Sequence, residues 1–392
     1  MKCPLEARII SSACEKLVSP ERENGLDGLL SSPGVRWPLI RKFLSYHDLA
    51  PFFYSLTRDN AAVPPDLARD LRASYYASLA KNELMWREFI RVNELFGGAQ
   101  VMMAPIKGTA FLNTIYSGMP VRPMCDIDLL VREEDMGRVE RLLVSQGYVK
   151  ELEGLNEEYW LKDQCHIVYQ LNQGRRHVIL EVHFGLDFKR GYELLPRLWE
   201  RSRESLIGEQ KVRFLSPEDQ VFSLVLHMRR FGRVLNLKNA LDCALLLERT
   251  GADFDWEYTL EQARLGKMRS ALFFLLHLAG RAGARVPSGA LAGLRVPRYK
   301  RRLISGFVDR NLFSGRMDEK VKAVYTVSHF LLYDSFIEPF WYVLDIPHEQ
   351  FCKYYGLQAY TKKSRLLFHA RFLYIPLKAV TGNREHRPHG AH

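Results

Sequence analysis

The stretch that most restricts this chain runs from Pro120 to Arg132, PVRPMCDIDLLVR, taken with Pro105-Ile106-Lys107-Gly108 upstream of it. In extended backbone alternate side chains share a face, so Asp126 and Asp128 project together while Ile127 and Leu129 turn inward. Leu129, Leu130 and Val131 continue as the apolar run of a buried strand, which sets both acids at the edge of a rigid sheet. Two carboxylates this close repel one another unless a cation sits between them. Mg²⁺ suits such a place, because proteins hold it with a few carboxylate oxygens and the phosphates of a substrate. By itself an Asp-x-Asp is also the mark of two solvated acids at a strand end.

The upstream segment adds a second element. Val101 to Ile106 predicts a strand and Thr109 to Tyr116 a short helix, with Lys107-Gly108 at the junction. A glycine there lets backbone N–H groups approach a phosphate at the helix N-terminus. An ordinary strand-to-helix turn has the same composition.

Strand, Lys-Gly, short helix and then Asp-h-Asp-h on the next strand resembles the signature of nucleotidyltransferases with a DNA-polymerase-β-like fold. The wording IKGTAFLNTIY followed by VRPMCDIDLLV is similar to the bacterial group of uncharacterised nucleotidyltransferases, the NTP transferase 5 type, over about residues 35 to 290. One departure from the commonest signature is plain: its Gly-Ser or Gly-Gly pair sits closer to the first Asp than Lys107-Gly108-Thr109 does here.

The resemblance implies an α+β fold, a polymerase-β-like nucleotidyltransferase core of a small mixed sheet with flanking helices, between helical N-terminal and C-terminal regions. It implies two Mg²⁺ ions and a nucleoside triphosphate, with ATP as first choice. Asp126 and Asp128 would be metal ligands and catalytic residues, and a third carboxylate is required from a neighbouring strand. Glu181 is chosen, since Glu181-Val182-His183 in HVILEVHF fits the group's acid-hydrophobic-His; Asp187, beyond Gly185, is the second choice. An exposed strand acid paired with Lys or Arg would look alike. His183 would orient that carboxylate or be a satisfied structural histidine. Lys107, Gly108 and Thr109 would contact phosphates. Arg122, in the Arg-Pro-Met that the group also shows, would bind the triphosphate or else pair with Asp126 or Asp128. Further on, His227, Lys238 and Asp242 fall where the group has a His and then a Leu-rich helix with an Asp, and Lys238, Arg229 and Arg233 are set towards the triphosphate.

The chain divides into a flexible lead-in (1–34, ending in GLDGLLSSPG), an N-terminal helical region (35–99), the α/β core (100–212), a C-terminal helical domain (213–380) and a disordered tail (381–392). Within these, Trp37 to Arg58 has helical spacing, a helix from Pro65 breaks before the run Leu71 to Phe96, and His47 is a packing or surface residue. Glu133 to Gln146 is an amphipathic helix closed by Gly147, and Cys165–Leu171 and His177–Phe184 are strands around Asn172-Gln173-Gly174. Ser216-Pro217 starts a helix through Arg230, followed by helices over Leu237–Arg249 and Ala271–Ala282.

With 392 residues, 47% hydrophobic and 26% charged, the chain is long enough for a sizeable core. The net charge of +11 favours polyanionic partners without choosing among them. Six cysteines are scattered without a C-x-x-C pair, the N-terminus lacks a signal-peptide core, and no apolar run is long enough to span a membrane, so a cytoplasmic location is expected. The acceptor of transfer stays open among a small molecule, a peptide, a protein and a tRNA end, with an anionic partner for the basic, aromatic stretch after Arg298. Two other classes compete: a catalytically inactive nucleotide-binding or scaffold protein, and an RNA-binding module using the basic C-terminal helices.

Overall fold

Ile-Asp-Leu-Leu-Val, with branched and long apolar side chains on both faces, is the composition of a central strand, and the chain uses it as one. The computed structural model describes residues 4–116, 121–152, 165–174, 176–186, 194–230, 235–312, 330–339, 344 and 346–381. Met103–Pro105 (β1), Ile127–Val131 (β2), Val149–Glu151 (β3), His166–Gln173 (β4) and Arg176–His183 (β5) form one sheet in the order β1-β2-β5-β4-β3. β2 and β5 run parallel at its centre, and the other neighbours are antiparallel. Every residue of β2 is buried, as in a strand covered on both faces. The architecture is therefore the expected α+β: a small mixed sheet flanked by helices.

Two glycines close the elements that carry this sheet. Gly147 follows the helix Met136–Ser145 at φ +86°, a conformation that favours glycine, while the Gln173 side chain 2.9 Å from where a Cβ would stand is exposed and free to move. Gly174 turns β4 into β5 at φ +60°.

Residues 4–34 are not the flexible lead-in expected over 1–34. Leu5–Val18 is a helix that buries Ile9, Ile10, Ala13 and Leu17, one apolar stripe at helical spacing, and the Gly/Ser-rich stretch buries Leu26 and Leu30 beside it. Glu6 anchors the segment, accepting from the Arg36 backbone N–H at 3.0 Å and from its guanidinium at 2.9 and 2.8 Å. Local composition suggested mobility, but the buried stripe decides.

The expected helix over 37–58 is two, Trp37–Tyr46 and Ala50–Thr57, parted at Asp48, whose φ is +55°. His47 at that break is fully buried; its Nδ1 accepts from the Leu237 N–H at 3.3 Å and its Nε2 lies 3.3 Å from the Leu312 carbonyl oxygen. Conversely, the break expected after Pro65 is absent. Pro65–Gly98 is continuous because residues 71–96 contain no Pro or Gly, and Met85, Phe89, Val92 and Phe96 make one buried stripe.

A two-stranded sheet, Arg203–Ile207 (β6) with Gln210–Phe214 (β7), was not read from the sequence, and the boundary at residue 212 falls inside β7. The helices Pro217–Arg230, Leu237–Thr250 and Arg269–Arg281 follow, the first capped by Ser216, whose Oγ accepts from the Asp219 N–H at 3.2 Å. Asp187, Arg233 and residues 382–392 of the expected tail lie outside the described residues. Among the described residues no helix is long and apolar enough to cross a membrane.

Candidate active site

The site is built by one register. In the parallel pair of β2 and β5, Asp128 stands level with Glu181 and Leu130 with His183. Alternation then puts Asp128, Glu181 and His183 on one face, while Ile127, Leu129, Leu180 and Val182 fill the interior; Asp126, expected within the strand, stands one residue ahead of it, near enough for the Asp128 and Glu181 charges to act on it. Asp128 is fixed at both ends of its peptide: its N–H donates to Thr109 Oγ1 at 3.0 Å, and its carbonyl accepts from the Ile106 N–H at 3.1 Å. Thr109, expected to meet a phosphate, is buried and clamps the acid strand to the first turn of the helix Lys107–Thr114.

Lys107 opens that helix at φ +50°, a left-handed conformation that non-glycine residues rarely adopt. Its Nζ donates to Asp128 Oδ1 at 2.6 Å and lies 3.8 Å from Glu181 Oε2. His183 Nε2 lies 3.0 Å from the same Asp128 oxygen and 3.4 Å from Glu181 Oε2. Two cationic side chains and two acids of adjacent strands thus converge on one point.

Charge follows from this geometry. Burial, then the neighbouring charges of Asp128 and Glu181, push the half-buried Asp126 carboxyl up to about 7. Burial opposes ionisation of Asp128 too, but Lys107 and the His183 hydrogen bond outweigh it and hold Asp128 well below the usual carboxylate range. Burial and the Lys107 charge resist protonation of His183; hydrogen bonds to Asp128, Cys165 and Glu181 overcome them and raise it to about 9. Lys107 is raised as well, Asp128 and Glu181 overriding its burial.

Of the residues marked in the sequence, Lys107, Asp126, Asp128, Glu181 and His183 come together. Arg122 does something neither reading anticipated: its Nε and Nη2 make a two-pronged pair with Asp242, at 2.9 and 2.8 Å, and Tyr116 Oη donates to the same carboxylate at 2.7 Å. A buried guanidinium needs a buried counter-charge, and Asp242, fully enclosed on the helix Leu237–Thr250, supplies it. Gly108 belongs to this arrangement, since a Cβ on it would fall 2.3 Å from Arg122 Nη1. Lys238 is engaged elsewhere, 3.1 Å from Asp48 Oδ2, and Arg229 stacks on the Tyr333 ring at 4.5 Å. The Arg122–Asp242 pair joins residues 120 positions apart, and no local spacing signals it.

The model of the uncharacterised nucleotidyltransferase family matches residues 33–282, more than half of the chain. The chain belongs to that family. No curated protein matches it. In this nucleotidyltransferase the match covers the sheet, the Lys107–Gly108 turn and the helix that carries Asp242.

The donor set fits a divalent cation. An oxygen of Asp128 and an oxygen of Glu181 lie within 4.8 Å of one another, His183, raised to about 9, holds a proton between them and is a positioning group, and the raised Asp126 beside them marks surplus negative charge.

Proposed function

We propose that this nucleotidyltransferase is a polymerase-β-like enzyme that moves a nucleoside monophosphate from a nucleoside triphosphate, ATP by preference, to a hydroxyl acceptor with release of pyrophosphate. The observation that carries the proposal is the level pairing of Asp128 with Glu181 on parallel strands, with Asp126 just before β2 and close enough to feel the charge of both. Asp126, Asp128 and Glu181 would hold two Mg²⁺ ions. Bound there, magnesium lowers the pKa of an attacking hydroxyl and offsets the charge that develops on the phosphate being transferred and on the leaving pyrophosphate.

The chain's own residues act around that centre. His183 holds the Asp128 and Glu181 carboxylates in orientation, and the Thr109 clamp keeps the acid strand in register with the helix opening at Lys107. The first N–H groups of that helix have no partner within it and suit phosphate oxygens. Lys107 neutralises the acids in the ligand-free enzyme and is the cation nearest to hand for a phosphate. Arg122 supports the turn from beneath Gly108 through its pair with Asp242.

Incubation with each of four α-³²P-labelled nucleoside triphosphates and a total cell extract, followed by separation of RNA, protein and small molecules, identifies nucleotide and acceptor together. Label transferred by the wild type and not by Asp126→Asn/Asp128→Asn is the expected result. Triphosphate binding with Mg²⁺ but no transfer to any fraction would favour a non-catalytic nucleotide-binding protein.

A further inference from the structure

The helices Lys362–His369 and Arg371–Thr381 form a two-helix end to the described chain. Their inner side is settled by ring contacts: Phe368 packs on Phe351 and His348, and Tyr374 on Phe351 and Tyr355, with Ser364 buried. Apolar side chains then stand on the outside as well. Leu366 is 69% exposed, Phe372 52%, Leu373 78% and Leu377 60%. Leaving four large apolar groups in water is costly, so a face like this points to a partner surface.

Charge says which. Between Lys362 and Thr381 the sequence has five Lys or Arg and no Asp or Glu, and Lys362, Lys363, Arg365 and Lys378 are exposed. Three of the four outward apolar residues are leucines. Nucleic-acid bases stack on aromatic rings and gain little from leucine, whereas acyl chains take up leucine and phenylalanine while anionic headgroups meet the cations. The helices have 8 and 11 residues, a length that lies along an interface and does not cross it.

We propose that residues 362–381 dock the enzyme on an anionic phospholipid surface, with Leu366, Phe372, Leu373 and Leu377 at the acyl boundary and Lys362, Lys363, Arg365 and Lys378 among the headgroups. The site on β2 and β5 would then work beside a membrane, where a lipid-linked or membrane-borne acceptor is within reach.

The test is co-sedimentation of the full chain with phosphatidylcholine vesicles, with and without phosphatidylglycerol. Binding to the anionic vesicles at least about tenfold tighter than to neutral ones, and weakened by salt, is expected. Leu373→Asp/Leu377→Asp and, separately, Lys363→Glu/Arg365→Glu each lower that binding at least about tenfold with the melting curve unchanged, since all four side chains are exposed. Equal binding to neutral vesicles, unaltered binding by both variants, or a single-stranded RNA oligomer displacing the vesicles at equal charge concentration would overturn the proposal.

Discussion

Lys107 Nζ lies 2.6 Å from Asp128 and 3.8 Å from Glu181, at the point where the acids of two parallel strands converge. A tethered ammonium thus provides the charge balance that a divalent cation would provide. Removing one partner of a buried ion pair costs about 3–5 kcal/mol. Lys107→Met is therefore expected to lose roughly 3 kcal/mol in urea unfolding with EDTA present. Saturating Mg²⁺ restores more stability to the variant than it adds to the wild type. An equal Mg²⁺ response in the two proteins would count against this relationship.

Asp242 is the sole carboxylate hydrogen-bonded to Arg122 among the described residues, and it also accepts from Tyr116. Asp242→Ala leaves a buried guanidinium unpaired and should destabilise by about 3–5 kcal/mol. Arg122→Met/Asp242→Leu, which removes both charges, is expected to cost less than Asp242→Ala alone. Unfolding midpoints of the three proteins decide it.

Gly108→Ala brings a methyl group to 2.3 Å from Arg122 Nη1. Arg122 cannot swing aside without losing Asp242, so overpacking of about 1–3 kcal/mol follows, together with a raised KM for the triphosphate because the helix opening shifts. Steady-state kinetics and a thermal melt measure the two effects.

His47 is buried between the start of the helix at Leu237 and Leu312, and burial, only partly offset by its bond to the Leu312 carbonyl, presses its pKa down to about 4. The unfolded chain binds a proton here near pH 6.5 and the folded one does not until about pH 4, so this histidine's contribution to stability is complete above 6.5 and falls as the pH drops towards 4. The loss is on the order of 3 kcal/mol by pH 4. His47→Gln should flatten that slope in a pH series of unfolding free energies.

The centre of the fold was legible because its signals are local. Alternation over Asp126–Val131 and over His177–His183, with Gly147 and Gly174 as stops, gave the strands and the shared face of Asp128 and Glu181. Glu181 and His183 could be placed because the strand pattern fixes the face whatever its neighbour. Long-range pairing was not legible: Arg122 with Asp242 and Lys238 with Asp48 are separated by 120 and 190 residues, and a charged side chain gives no sign of its partner. At the N-terminus the Gly/Ser-rich stretch outweighed the stripe Ile9, Ala13, Leu17, although that stripe carries the burial. β6 of the β6–β7 hairpin is exposed along nearly its whole length, and its two apolar residues, Leu206 and Ile207, are adjacent, so it lacks the alternation that reveals a strand.

The central claim is that Asp126, Asp128 and Glu181 act as one divalent-cation site for nucleotidyl transfer. Its most direct test is release of labelled pyrophosphate from a γ-³²P-labelled triphosphate by the wild type, Asp126→Asn/Asp128→Asn and Glu181→Gln, each with Mg²⁺ and with EDTA. Release that requires Mg²⁺ and falls at least about a thousandfold in both variants, with unchanged circular dichroism, is the predicted result. Release at the wild-type rate from Asp126→Asn/Asp128→Asn, or in EDTA, would contradict it.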